Sequence, residues 1–234
     1  GPFDRESYAL ALALLGLEAS PAARETVGSV TFEVLETGAL SLAGAPVRIL
    51  IDGEERLANA VWPARAGTLV QVMASRAAAR AYLAWRAESQ PEGRLATPPS
   101  SLRSGKIRIV RGPDPVGFPL DGWRASAASN RMGLRLEGSG QPHSIELPSR
   151  PTAVGTVQIT PSGMPIVFGP DGPTIGGYPQ AAVVIDADRD RLGQLSAGAA
   201  VAFEWVDLET ARTISHEHRR ALQGRLAQLR LARR

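Results

Sequence analysis

Asp171-Gly172-Pro173-Thr174-Ile175-Gly176-Gly177-Tyr178-Pro179 runs straight into the apolar stretch Ala181 to Ile185. Two adjacent glycines stand between a β-branched pair and a Tyr-Pro. This order reads as a tight main-chain feature feeding directly into a strand. Glycine is required where φ is positive or where another group approaches the main chain closely. The sequence around it keeps the same style, with short strands predicted at Trp123 to Ala125, Gly133 to Leu136, Ser144 to Glu146, Thr156 to Thr160, Pro165 to Phe168, Ala181 to Ile185 and Ala199 to Trp205. Many short strands separated by Gly/Pro turns about every 8–12 residues argue for a sandwich or barrel.

The N-terminal half follows the same pattern after an opening helix. Asp4 to Leu17 carries Tyr8, Leu12 and Leu15 at helical spacing, with Asp4 as N-cap and Gly16 at the stop. Ser20 to Glu25 reads as a turn that starts a short helical piece. Val30, Phe32 and Val34 then alternate as a half-buried strand. Further strands are predicted at Ala39 to Leu42, Pro46 to Ile51, Arg56 to Ala60 and Thr68 to Val72, and Asp52-Gly53 marks a hairpin. Ser75 to Arg86 is open between helix and strand. Ser89 to Ser101, rich in Pro, Ser and Gly, reads as a mobile linker and the best domain boundary, and Lys106 to Val110 resumes as a strand. Asp188 to Leu195 gives one or two helical turns. Leu208 to Leu231 is a long helix, with Leu222, Leu226 and Leu229 on its apolar stripe and Arg219, Arg225 and Arg230 facing out.

Composition excludes several chemistries. The 234 residues contain no cysteine, which removes disulfides, thiolate metal sites and cysteine nucleophiles. The only histidines are His143, His216 and His218. The last two are two apart on the helix and do not share a face, so no metal site is predicted. Lys106 is the single lysine, and no phosphate-binding glycine loop surrounds it. A formal charge of +3 and 5% aromatic residues give no nucleic-acid footprint. No stretch reaches the roughly 18 apolar residues of a membrane span, and a cytoplasmic location is expected.

Several segments, in order, resemble one family. Phe3-Asp4-Arg5-Glu6-Ser7-Tyr8 resembles its helix-opening Asp-Arg segment. Ser129-Asn130-Arg131-Met132-Gly133-Leu134-Arg135-Leu136-Glu137-Gly138 resembles its Ser-Asp-Arg-Met-Gly-Tyr-Arg-Leu-Glu-Gly motif. Gly155 to Ile159 followed by Gly163 to Val167, the glycine stretch at 171–179, and Leu192 to Leu195 with Gly198 and Val201 to Phe203 complete the series. The chain is identified as resembling the biotin-dependent carboxyltransferase family of the allophanate hydrolase subunit 2 type. That family includes the 5-oxoprolinase C subunit, KipA and the carboxyltransferase part of urea amidolyase.

The resemblance implies a mainly β fold: two cyclophilin-like β-barrel subdomains with an N-terminal helix and a long C-terminal helix. The expected divisions are residues 1–101, 102–206 and 207–234. It also implies a partner, the KipI-like B subunit, together with an A subunit that completes ATP-dependent opening of 5-oxoproline to glutamate. Carboxybiotin is the donor in the urea branch, and no covalently held cofactor, nucleic acid or membrane is expected.

The residues expected to face substrate are Arg131, Gln158, Thr174, Gly176, Gly177 and Tyr178, and no catalytic residue is assigned. Each has a plainer reading. The glycine pair fits a bulge or barrel corner, Arg131 a loop clamp and Gln158 an exposed strand position. Thr174 fits a turn, and Asp4 a helix cap instead of a cleft residue. Departures from the family pattern bear on activity. Asn130 replaces Asp, Pro173 replaces Gln, Gln180 replaces a Lys or Arg, and Arg150 stands where an acid is common. Trp85 to Ser89 stands where the family carries a Ser-Arg loop. One positioned donor is worth about 2.7–4 kcal/mol in chemistry of this kind. Two readings therefore stand: a carboxyltransferase-type subunit that acts with a B partner on a small cyclic amide or urea-derived acid, 5-oxoproline foremost, and a catalytically degenerate paralogue used as a protein-binding or regulatory module.

Overall fold

Gly-Ala-Leu-Ser-Leu-Ala-Gly, Gly38–Gly44, organises the N-terminal part of the molecule, and all seven of its positions are buried. Alternation along a strand sends Leu40 and Leu42 to one face and Ala39, Ser41 and Ala43 to the other. The large residues join a core with Ile49, Val70 and Val72. The small ones leave room for a helix, whose Leu10, Ala11 and Leu14 pack on Ala39 and Ala43, and Ser41 Oγ donates to the Ala11 carbonyl at 2.6 Å.

The computed structural model describes residues 1–18, 23–87, 93–145 and 147–232. They form two units, Pro2–Arg103 with Arg220–Arg234, and Ser104–Arg219 with Gly1.

The first unit contains α1 (Arg5–Leu14), β1 (Ala23–Val27), β2 (Val30–Glu33), β3 (Gly38–Gly44), β4 (Arg48–Ile51), β5 (Glu54–Leu57), β6 (Ala60–Ala64), β7 (Leu69–Val72), β8 (Arg80–Ala87) and β9 (Gly93–Arg94). A five-stranded sheet, β1-β8-β3-β6-β9, and a four-stranded sheet, β2-β7-β4-β5, enclose the core between them. The hairpin expected at Asp52-Gly53 joins β4 to β5, with φ of 50° and 81° at the two turn residues, as a two-residue turn of the I′ kind requires. Asp4 is the N-cap of α1, accepting from Ser7 N at 2.9 Å, and it also accepts from Ser7 Oγ and Ser101 Oγ at 2.6 and 2.7 Å. It is fully buried, so the cap reading holds.

The second unit contains β10 (Ile107–Arg111), β11 (Trp123–Ala125), β12 (Gly133–Glu137), β13 (Arg150–Pro151), β14 (Thr156–Ile159), β15 (Pro165–Phe168), β16 (Ile175–Gly176), β17 (Gln180–Val184), α2 (Arg189–Leu192), β18 (Ala200–Val201) and β19 (Phe203–Trp205). Eight of these strands form one sheet in the order β18-β11-β12-β15-β14-β17-β10-β19. The two outermost strands are neighbours in sequence. β18 pairs with β11, β19 pairs with β10, and only Ala202 lies between them. The sheet therefore curls into a nearly closed barrel, and Ile109, Trp123, Leu134, Val157, Val167 and Phe203 fill its interior at 3% exposure or less. α3 (Leu208–Leu231) follows. Its Ala211 and Ile214 pack with Val110, and its Leu226 and Leu229 belong to the helix-covered core of the first unit.

Some local expectations are corrected. Ser75 to Arg86 resolves as strand over Arg80–Ala87, because Tyr82 and Ala84 face α1 while Ala81, Leu83 and Trp85 face the other core. Ala23–Val27 is a strand paired with β8 and not a helical start; Ser20 to Ala22 lie outside the described residues. Ser89 to Glu92 of the expected linker also lie outside them. The remainder of that segment is packed structure, with Leu95 5% exposed and Ser100 and Ser101 donating three hydrogen bonds to the buried Glu6. Ser144 and Ile145 form no strand, and Glu146 is outside the described residues. Arg225 does not face out: it pairs with Glu6 and donates to the carbonyls of Thr97 and Pro98.

The two faces of β3 give opposite sensitivities. Leu42→Ala should cost about 2–5 kcal/mol through a cavity. Ala43→Leu should cost about 1–3 kcal/mol by forcing α1 away. Both are read as shifts of the urea midpoint at unchanged slope.

Candidate substrate cleft

β12, β15 and β14 are adjacent in the barrel sheet. Leu134, Leu136, Val157, Ile159 and Val167 point into the barrel interior. Alternation therefore turns Gly133, Arg135, Gln158, Ile166 and Phe168 to the opposite face. That outer face forms the floor of a cleft of about 290 Å³, and Asn130 and Met132 on one side and Pro173, Gly176, Gly177 and Tyr178 on the other complete its walls.

The glycine pair is held in place by close approach, not by unusual dihedrals. Neither Gly176 nor Gly177 has a positive φ. A Cβ on Gly176 would lie 2.6 Å from Gln158 Nε2, and one on Gly177 would lie 3.2 Å from the Leu147 carbonyl oxygen. The main chain at Gly176 thus rests on the Gln158 amide. Gln158 is 2% exposed and donates from Nε2 to the Tyr178 carbonyl at 3.1 Å. The pairing of β14 with β17 shifts register between Val157 and Gln158, so Ala181 is the extra residue of a bulge beside the cleft. The segment before the glycines pairs as β16 with β13, and Thr152 N donates to the Thr174 carbonyl at 2.9 Å.

The opposite wall is stitched to the Asp171 turn. Gly169 N donates to the Met132 carbonyl and Asp171 N to that of Arg131. The Arg131 guanidinium grips Asp171 with two hydrogen bonds, 2.7 Å from Nε and 3.0 Å from Nη2, and also donates to the Gly1 carbonyl. This pair holds the Asp171 carboxyl below the usual aspartate range. Four of the six expected residues, Gln158, Gly176, Gly177 and Tyr178, therefore share the cleft. Arg131 and Thr174 flank it: the first clamps two turns and the second is an exposed turn residue whose carbonyl is bonded.

Arg135, Ile166 and Phe168 also line the cleft and are not among the residues expected from the sequence. The available signal is the period-two alternation of Gly133 to Glu137, which places Arg135 opposite Leu134 and Leu136. Among the described residues no group of three or more His, Asp or Glu is placed to hold a metal ion.

The departures from the family pattern are each accommodated. Asn130 Oδ1 accepts from Met132 N at 2.8 Å, a role open equally to the aspartate it replaces. Arg150 pairs with Asp114, Asp114 accepts from Gln180 N at 2.7 Å, and Gln180 Nε2 donates to the Pro151 carbonyl at 3.1 Å. Burial pushes the Asp114 carboxyl up, but the Gln180 N–H and the Arg150 guanidinium outweigh it and hold the group below its ordinary value. In place of the Ser-Arg loop, β8 continues through Trp85 and Arg86, and Arg86 donates to the Leu15 carbonyl at 2.7 Å.

The family model for the carboxyltransferase domain, subdomain A and B, matches residues 1–95 and 87–205, and the chain belongs to that family. It is 29% identical to the 5-oxoprolinase C subunit of Escherichia coli (strain K12), an alignment covering 94% of this chain and 86% of that protein. It is 39% identical over 100 residues to the 5-oxoprolinase C subunit of Haemophilus influenzae, covering 41% of this chain and 32% of that one. In fold it is similar to the Kluyveromyces lactis urea carboxylase, with a TM-score of 0.81 at 20% identity, over 96% of this chain and 26% of that one.

Gly176→Ala should displace the Gln158 amide. We expect a shifted Gln158 side-chain amide resonance and a loss of roughly 1 kcal/mol of stability, with Gly177→Ala milder. The Asp114 cluster sets an acid-sensitive contribution. Because its folded pKa is depressed, its stabilisation is complete above the ordinary aspartate value of about 3.9 and is lost as pH falls through the lower folded value. The urea midpoints of the protein and of Asp114→Asn should therefore differ at neutral pH and converge in strong acid.

Proposed function

We propose that this chain is the carboxyltransferase-family subunit of an ATP-dependent 5-oxoprolinase. In this reading it works with a KipI-like B subunit, and with an A subunit, to open 5-oxoproline to glutamate. The observation that carries the proposal is the likeness along 94% of the chain to a protein named as the C subunit of 5-oxoprolinase. The cleft supports it, since its size, apolar floor and few polar groups suit a small cyclic molecule. ATP is consumed on a partner subunit in this scheme, no cofactor is held covalently by this chain, and the work is cytoplasmic.

The family departures do not argue against it. Asn130, Arg150 and Gln180 all make local hydrogen bonds that keep the walls in place. The chemistry still needs groups from the partners, because among the described residues no acid lines the cleft, and the sequence holds no thiol.

The test is co-purification with a B subunit, followed by glutamate release from 5-oxoproline with ATP and the A subunit. The expected outcome is a stable complex and ATP-dependent glutamate. A complex without turnover would instead make the chain a binding or regulatory module. Neither complex nor turnover would remove both readings.

A further inference from the structure

We infer that Arg135 is the carboxylate anchor of the cleft, so that the site selects small carboxylic acids with a compact, uncharged body. The inference rests on reading this cleft as the substrate site, and it adds to that reading the residue that discriminates among ligands.

Three observations carry it. Arg135 lines the cleft, and no hydrogen bond or ion pair engages its guanidinium among the described residues; the bonds at this position are made by its backbone N–H and carbonyl. The other nearby arginine, Arg131, is committed to Asp171. Among the described residues no aspartate or glutamate lines the cleft, and the residue at the motif's acidic position, Asn130, is uncharged, with its Oδ1 on Met132 N. The remaining floor is apolar: Ile166 and Phe168 lie beside Arg135 on the neighbouring strand, and Met132 and Pro173 complete the apolar lining.

The exposed Arg135 guanidinium lies beside apolar lining and offers an uncommitted positive charge to an anion entering the cleft. Its planar donors match a carboxylate by two parallel hydrogen bonds. With Arg135 taking the carboxylate, the apolar floor accepts the ring or chain, and the peptide groups of Gly176 and Gly177 are the main-chain surface nearest the rest of the ligand. The volume of about 290 Å³ admits a ligand the size of a five-membered cyclic acid.

The test is calorimetric titration of the full chain with L-5-oxoproline, with 2-pyrrolidinone (the same ring without the carboxylate), and with L-proline and glutarate as other carboxylates. Arg135→Gln and Arg135→Lys are titrated in parallel, each checked for an unchanged melting temperature. The expected result is binding of 5-oxoproline that weakens with added salt, and a roughly 10- to 100-fold poorer affinity for 2-pyrrolidinone. Arg135→Gln should remove that difference and Arg135→Lys should restore part of it. Equal binding of the two rings, or an Arg135→Gln variant within about twofold of the parent, overturns the anchor and leaves the oxoprolinase reading intact. Arg135-dependent binding of L-proline or glutarate, but not 5-oxoproline, keeps Arg135 as a carboxylate anchor but overturns both the selectivity for an uncharged body and the 5-oxoproline assignment. Failure of the parent protein to bind any of the carboxylates overturns the anchor.

Discussion

One short segment, Ala200 to Trp205, turns the second unit from a sheet into a barrel. Its first part pairs with β11 and its second with β10, so the same six residues serve both edges. Closure removes the exposed edges that an open sheet would present, and it turns Phe203 and Val201 inward. The interior is filled by side chains such as Trp123, Val157 and Phe203. The outer face of β12, β15 and β14 is where a cleft forms, and the position of each floor side chain follows from which half of its strand's alternation is already taken by the core.

The cleft is then a balance between rigid supports and unpaired chemistry. Gln158 is held from both sides, by the Tyr178 carbonyl and by the bare main chain of Gly176. Arg131 commits its charge to Asp171, which fixes the opposite wall. Such supports resist the small displacements that weaken binding sites. Arg135 differs from its neighbours in that its charge is uncommitted. In the function proposed above, the substrate's carboxylate would meet that uncommitted charge.

Much of this was legible in the residues. The β-rich style, the opening helix capped by Asp4, the Asp52-Gly53 hairpin and the long Leu208–Leu231 helix all follow from local signals that tertiary structure did not override. Local signals failed where a segment is buried on both faces or held by distant partners. Ala81-Tyr82-Leu83-Ala84-Trp85 lacks clean alternation because both sides of β8 are covered, by α1 and by the second sheet. The Pro/Ser-rich run near Ser100 resembles a linker in composition, yet Glu6 orders it through three hydrogen bonds. Arg225 reads as a solvent-facing helical arginine until the Glu6 carboxylate, far away in sequence, is placed beside it. At the site, the glycine pair announced itself, but the distinction between Arg131 and Arg135 depended on a partner forty residues away in Asp171, which no spacing rule reveals.

The ion pair between Glu6 and Arg225 joins positions 219 apart in the chain. Contacts so distant in sequence make loop closure entropically slow. On a ribosome, the first unit's buried carboxylate would wait for a cation made 219 residues later, whereas every strand of the second unit's barrel is present once Trp205 has emerged. The first unit would thus be finished after the second, although its strands come earlier in the chain.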